Sequence, residues 1–518
     1  MLGCPTPVRR PTLTRPRRQA AIAPCCTVSG WRVERRRILG LNLPPARFAL
    51  APTDGCAPGS CIAWALFFST CPPADRVEAA LGALLSAYPF LAARPCQGNR
   101  YEVELTPGAC GLAFEHSAWE GVTLDEVLEH RLGFSDAHLA FDKPPREQLP
   151  FLCLPDHAAM EARKEGLVGA RLTRLDDGAG VLAVTFSHSL TDGQRCVTLL
   201  SALAAACRGE ELQHGMTHDR SVLWPQALAA HPAVASILGH KASQDAPPPA
   251  DAEPEDDVQC VPPDPPPPPG SWSLLPLHVP SASLSQLAAS LAPLAPELRL
   301  SSHDVLAGLV WSLRCALAGV SRPGEHCSGR FIVALDLSAN GLPQGVLPQD
   351  FTGNCAAALS VCAKTIPSQN AADKHLQAVA QAAGAVRTAV AAYRADPLNA
   401  INHLLSCGGG RSGPAASGGR WQQATSTIPL VGYATSCLRV PTDALDCGTG
   451  PPVALHYSTL PLRSSSGLLF ASLAPAPRGD GALVLLAASD THARVLTAST
   501  GEAAELLRAT VPAARWLR

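Results

Sequence analysis

The sequence predicts a two-domain protein of mixed helices and strands, α/β or α+β. Three observations carry this expectation. Helical and strand-like periodicities occur on both sides of residue 250. A Pro-rich, acidic stretch at 246–269 divides them and cannot bury enough apolar surface to fold. The 518 residues, 47% of them hydrophobic, exceed one ordinary core and suit two domains of ~200 residues each.

In the first half, Asp75 stands where it can cap a helix whose apolar positions Val77, Ala80, Leu81, Leu84 and Leu85 follow helical spacing. Pro89 closes that helix. Tyr101, Val103 and Leu105 alternate as a strand, and Thr106, Pro107 and Gly108 turn the chain. Val181 to Phe186 is mostly apolar, as expected of a buried strand. Gln194 to Cys207 reads as a helix ending near Gly209. In the second half, Asp304 to Ala318 reads as a helix with Ser302 as its cap, and Phe331 to Leu337 as a buried strand. Residues 371–395 form an alanine-rich helix ended by Pro397, and 407–420 a Gly/Ser-rich loop. Gly467 to Leu473 and Ala482 to Ala488 flank Pro-Arg-Gly-Asp-Gly, a hairpin pattern. Glu502 to Arg508 is the last helix. The expected divisions are a targeting peptide or disordered tail at 1–33, a first domain at 34–225, a crossover at 226–274 and a second domain at 275–518.

Charge excludes some functions. Charged residues are 16% of the chain and the net charge is −2, so no basic field awaits a nucleic acid. No long apolar window free of charge and proline marks a membrane span. Residues 1–33 contain no acid but hold Arg9, Arg10, Arg15, Arg17 and Arg18, the composition of an organelle-targeting peptide; several prolines argue instead for an ordinary tail. The expected location is the cytoplasm, with a plastid or mitochondrion as the alternative. The 19 cysteines, among them Cys56, Cys153, Cys196, Cys315 and Cys355, are scattered, without paired knuckles. They are expected as small buried thiols in a reducing compartment, without disulfides or metal.

The segment Thr185-Phe186-Ser187-His188-Ser189-Leu190-Thr191-Asp192-Gly193 carries the chemistry. A histidine at the end of a buried strand can face a cleft, and its ordinary pKa suits proton abstraction at neutral pH. Asp192 stands at a helix start, where free N–H groups stabilise a carboxylate. Gly193 permits a tight turn or close packing. From these residues alone, a structural and a catalytic His188 both stay open. His303 reads as part of a helix start. His403 and His456 have no partner at metal-ligand spacing.

His188-Ser189-Leu190-Thr191-Asp192-Gly193 resembles the HxxxDG motif of the BAHD family of plant-type, coenzyme A-dependent acyltransferases. Further segments match in the family's order. Leu84 to Arg94 resembles its L-x-x-YPFLAGR segment, and His303 to Trp311 its (N/H)-D-V-L-x-A-x-x-W helix. Leu335-Asp336-Leu337 and Phe351-Thr352-Gly353-Asn354 resemble V-D-x-R and Y-F-G-N. Thr435 to Pro441 and Asp446 to Pro451 resemble T-S-W-x-x-x-P and DFGWGxP. Ser187 stands where wax-synthase and peptide-condensation relatives carry a second histidine.

The resemblance implies an α/β fold of two similar mixed-sheet domains with a channel between them. It implies an O- or N-acyltransferase with His188 as general base and no acyl-enzyme. Acyl-coenzyme A would serve as co-substrate, with no bound cofactor and no metal. The acceptor would be a small-molecule alcohol or amine, and the chain a monomer of specialised metabolism. Asp192, Gly193, Asp446, Gly448 and Gly450 would be structural, and Thr435 an acceptor or oxyanion contact. The family's arginine partner of the aspartate is replaced by Ser338, so another cation or backbone N–H groups must serve Asp192. Cys437, Cys447 and Thr449 replace family aromatics. The alternative is a degenerate member that binds acyl-coenzyme A or a partner without turnover.

Overall fold

The computed structural model describes residues 30–39, 45–54, 60–96, 99–106, 111–130, 151, 166–212, 220–244, 272–321, 329–348, 351–363, 374–408, 430–461 and 469–517. Most of the 1–33 segment, the turn at 107–108, the 246–269 stretch, the 409–420 region, Cys56 and Cys153 lie outside these residues.

The first half supplies strands β1 (Trp31–Leu39), β2 (Ala46–Ala49), β3 (Ser60–Phe68), β4 (Arg94–Cys96), β5 (Asn99–Leu105), β6 (Leu112–Trp119), β7 (Val168–Leu175) and β8 (Gly180–Ser187). The second supplies β9 (Trp272–Val279), β10 (Gly329–Asp336), β11 (Ala356–Ala363), β12 (Leu430–Ser436), β13 (Ala454–Pro461), β14 (Leu469–Pro475), β15 (Ala482–Ser489) and β16 (Arg515–Trp516). One sheet has the order β1-β6-β7-β8-β3-β13 and the other β11-β10-β12-β14-β15-β9-β16; β2-β5-β4 form a small third sheet. Both large sheets are mixed: β6–β7, β10–β12 and β12–β14 run parallel and their other pairs antiparallel. The two-domain α/β expectation is met. The sheets do not follow chain order alone, because β13, inside the expected second domain, pairs with β3 of the first sheet.

Eleven α-helices complete the described fold: α1 (Ala74–Ala87), α2 (Leu124–His130), α3 (Gly193–Cys207), α4 (Pro225–Ala230), α5 (Pro232–Gln244), α6 (Ser281–Leu291), α7 (Ser302–Ser321), α8 (Lys374–Ala395), α9 (Pro397–Gly408), α10 (Asp490–Thr497) and α11 (Glu502–Thr510). Helix α1 buries Val77, Ala80, Leu81, Leu84 and Leu85 as its spacing predicts. Asp75 is not its cap; it lies in the first turn, and Pro73 precedes the helix. The cap of α7 is Ser301, one residue earlier than expected. Asp304 N donates to Ser301 Oγ at 3.3 Å while Ser301 N donates to Asp304 Oδ2 at 2.7 Å. This reciprocal pair satisfies two otherwise orphaned donors. Pro397 both follows α8 and opens α9, a helix the sequence reading does not anticipate. Proline at a first helical position loses no hydrogen bond. The expected crossover likewise contains two helices, α4 and α5. The β14–β15 hairpin forms as expected.

Each sheet has its own core. Trp64, Phe90, Phe114 and Phe186 are buried in the first, and Trp311 stacks on Phe331 at 5.2 Å in the second. Two further clusters join the halves. One sets Ala63, Ala65 and Ala183 against Leu483 and Leu485. The other sets Leu223 of the first domain and Leu228 and Val234 of the crossover against Leu337, Phe351 and Ile401. These apolar faces hold both sheets in register around the junction. Among the described residues, eight cysteines are free thiols, Cys196 and Cys355 included. Cys315 departs from the expectation of thiols throughout and is disulfide-bonded. Among the described residues no helix is long and apolar enough to cross a membrane.

Candidate active site

Strand β8 is buried along its whole length, between β7 and β3. His188 is the first residue beyond it, and its side chain is half-buried. The chain then turns, and Asp192 caps α3. The buried strand fixes where the histidine emerges; the helix fixes where the chain goes next.

The imidazole meets the other half of the molecule. His188 Nδ1 lies 3.1 Å from Asn354 Oδ1, on the loop before β11. The orientation of that amide follows from its other end. Asn354 Nδ2 donates to Asp54 Oδ1 at 2.8 Å and to the His188 carbonyl at 2.7 Å. Both partners only accept, so the nitrogen faces them and Oδ1 faces the ring. An amide oxygen cannot donate, so Nδ1 must carry the ring proton. In the neutral ring the lone pair is then on Nε2.

Asn354 is itself held from three sides. Its N–H donates to Asp54 Oδ1 at 3.0 Å, and its carbonyl accepts from Thr53 Oγ1 at 2.9 Å. Asp54 is fully buried and pairs at 2.6 Å with the equally buried Arg220. Asp54 Oδ2 also accepts from Ala51 N at 2.7 Å. The same guanidinium donates to the Leu190 carbonyl, two residues past the histidine, and stands 5.4 Å above the Phe90 ring. The pair's desolvation is offset by these further bonds to Asp54 and to the Leu190 carbonyl, while the buried Arg220 Nε makes no hydrogen bond. Thus Phe90, Arg220, Asp54 and Asn354 form one continuous support under His188.

Asp192 is tied to the same loop, one residue beyond Asn354. Its Oδ1 accepts from Arg195 N at 2.9 Å and its Oδ2 from Cys355 N at 2.8 Å. Burial raises its pKa; the Arg195 charge and these two donors act against that rise. The Arg195 guanidinium is engaged by the end of β10 and by the residue two beyond it. Arg195 Nη2 donates to Ser338 Oγ at 2.7 Å and lies 3.6 Å from Asp336 Oδ1. Backbone donors therefore hold Asp192 directly, and the Arg195 charge favours its ionised form.

Gly193 is required by close approach. A Cβ built there would come 2.7 Å from the Tyr457 hydroxyl. That hydroxyl, on β13, is 3.4 Å from Thr435 Oγ1 at the end of β12. The Tyr457 ring packs on Trp64 at 4.6 Å. Thr435 thus sits near the start of α3, bonded to tyrosine.

The Asp446 loop lies elsewhere. Arg208, just past the end of α3, donates to the Asp446 carbonyl at 2.5 Å. A 15-residue helix is ~22 Å long, so loop and histidine are held at opposite ends of α3. Asp446 Oδ1 accepts from the N–H groups of Gly448, Thr449 and Gly450 at 2.7, 3.1 and 2.9 Å. Gly448 and Gly450 have φ of +87° and +98°, conformations that favour glycine. The turn is maintained by this carboxylate and these glycines, without the family's aromatics. His456 is buried against Phe151, and burial lowers the pKa of His303 and His403.

Sequence reasoning finds His188, Asp192, Gly193 and the Asp446 turn, but not Asp54, Arg220 or Arg195. It quotes Asn354 within a motif without a role. Only that motif could have pointed to it, since Asp54 and Arg220 sit in segments without periodicity or pattern.

Comparison with known proteins agrees with this architecture. The Transferase family matches residues 43–492. Vinorine synthase is structurally similar, with a TM-score of 0.61 at 15% identity over 93% of this chain and 98% of that one. F. graminearum TRI101 complexed with coenzyme A and T-2 mycotoxin has a TM-score of 0.63 at 12% identity, over 91% of this chain and 100% of that one. The same enzyme with ethyl coenzyme A has a TM-score of 0.61 at 14% identity, over 92% and 100%. No curated protein matches the sequence. With most of its length matched and its two mixed sheets in place, the chain belongs to the Transferase family, the BAHD acyltransferases.

Proposed function

We propose that this protein transfers an acyl group from acyl-coenzyme A to a hydroxyl or amine of a small-molecule acceptor, with His188 as general base. The observation that carries the reading is the Asn354 contact, whose accepting oxygen keeps the ring proton on Nδ1 and so turns the Nε2 lone pair of the neutral imidazole outward from a half-buried ring at the junction of the two sheets. In this reading donor and acceptor reach the ring between the two halves. Nε2 takes the acceptor proton, and the acceptor oxygen or nitrogen attacks the thioester carbonyl carbon. The tetrahedral oxyanion collapses, the C–S bond breaks, and the thiolate leaves with the proton held by the imidazolium. No acyl-enzyme forms. Thr435, its hydroxyl near that of Tyr457, is the proposed oxyanion or acceptor contact. Asp192, Gly193, Asp446, Gly448 and Gly450 act structurally. Coenzyme A, which the TRI101 structures contain, is the proposed donor carrier, and the chain acts as a monomer.

The test is thiol release from acetyl-, malonyl- and hydroxycinnamoyl-coenzyme A with a panel of alcohols and amines. Acceptor-dependent release supports the proposal. Binding of the thioesters without release for any pair supports a member of the family that binds and does not turn over.

A further inference from the structure

The Asp446 loop covers a pair of cysteines. Cys207 is the last residue of α3, and Cys447 follows Asp446. Both are free thiols buried in the same apolar cluster, and the chain at Gly448 packs against the Cys207 carbonyl. Cys447 Sγ also reaches the Leu445 carbonyl at 3.8 Å. The contact is clamped on both sides. Arg208 holds the Asp446 carbonyl at 2.5 Å, and a Cβ on Gly448 would lie 3.9 Å from the Cys207 carbonyl oxygen. Each thiol is next in sequence to an exposed residue, Arg208 or Gly448, so the pair lies just beneath the surface.

The two sulfurs are not equivalent. The hydrogen bond from Cys447 lowers the Cys207 pKa, against the effect of burial, and the Arg76 and Arg208 charges lower it further. The same hydrogen bond and burial push the Cys447 thiol up. The sulfur more readily deprotonated is the better candidate for first attack on an oxidant.

We propose that Cys207 and Cys447 form a redox modification site that closes to a disulfide under hydroperoxide, fastening the Asp446 loop to the end of α3. The Cys207 thiolate attacks one peroxide oxygen. The O–O bond breaks, water leaves, and Cys207 becomes a sulfenic acid. Cys447 sulfur then attacks the Cys207 sulfur, the S–O bond breaks, and a second water leaves with the Cys447 proton. Two thiols and one hydrogen peroxide become one disulfide and two waters. The turn, held by Asp446 Oδ1 and by Arg208 on the Asp446 carbonyl, packs the chain at Cys447 and Gly448 against the end of α3 at Cys207.

The experiment uses the full chain, reduced and freed of reductant, then treated with hydrogen peroxide or buffer. Mass spectrometry without reduction reads the Cys207–Cys447 cross-linked peptide, and differential scanning fluorimetry reads unfolding. The expected result is a cross-linked peptide that appears with peroxide, disappears with dithiothreitol, and accompanies an upward shift in melting temperature. Cys207→Ser and Cys447→Ser each lose both the peptide and the shift. Peroxide that leaves both thiols free to alkylate, or drives Cys207 to a sulfinic acid without cross-linking, overturns the proposal. The wild-type peptide map is decisive even if a variant misfolds, and it does not depend on acyl transfer.

Discussion

Asn354 crosses the junction with a side chain whose two ends are fixed by different partners. Its nitrogen is committed to Asp54 and to the His188 carbonyl, so its oxygen holds the imidazole in one tautomer. Asn354→Ala should lower kcat by ~10- to 100-fold, the order expected for loss of one buried polar contact, with KM for the thioester little changed. Steady-state kinetics on both substrates reads that split. Asp54 is a different case, because its neighbour is a buried cation. Asp54→Asn should cost ~3–5 kcal/mol of stability, as it leaves Arg220 charged and uncompensated, and urea unfolding measures it. At this scale, legibility followed local pattern. His188 stands at the end of an apolar run beside a helix start, and both signals lie within nine residues of sequence. The contacts from Asn354 to His188 and from Arg220 to Asp54 each span 166 residues. No periodicity encodes such a distance.

Helix α3 links the chemistry at one end to a structural turn at the other. Its first residue is glycine because Tyr457 occupies the space of a side chain. Gly193→Ala should displace the tyrosine, disturb its contact with Thr435, and lower both melting temperature and turnover. Thermal melts with parallel assays check this. Helix α7 shows what a cap contributes. Ser301→Ala removes an acceptor from the first turn and should cost ~1 kcal/mol, measured by chemical denaturation. The sequence located both helices but misplaced the α7 cap by one residue. Two adjacent serines, Ser301 and Ser302, offer the same side chain, and only the Asp304 register chooses between them. Helix α9 was missed for a related reason: Pro397 reads equally as a stop and as a first helical position.

Among the described residues two large mixed sheets are joined by apolar faces, with one strand of the second half added to the first sheet. Mixed periodicity in both halves foretold the domains; the exchange of β13 could not be foreseen, because an apolar strand carries no label for its sheet. Burial lowers the pKa of His303, His375 and His403 below the ordinary 6.5. A lowered folded-state value means the unfolded chain binds protons first. Stability from these groups is present above pH 6.5 and is lost as the pH falls through their folded values. The raised Asp192 value acts in the opposite direction. Melting temperature should therefore fall less steeply on acidification in His403→Asn than in the wild type, a comparison that cancels the Asp192 effect. The central claim, that Nε2 of His188 removes the acceptor proton, is tested most directly by single-turnover acyl transfer in His188→Ala, with thioester binding measured alongside. The account predicts a loss of ~10²- to 10⁴-fold with binding retained. Transfer at the wild-type rate in that variant would contradict it.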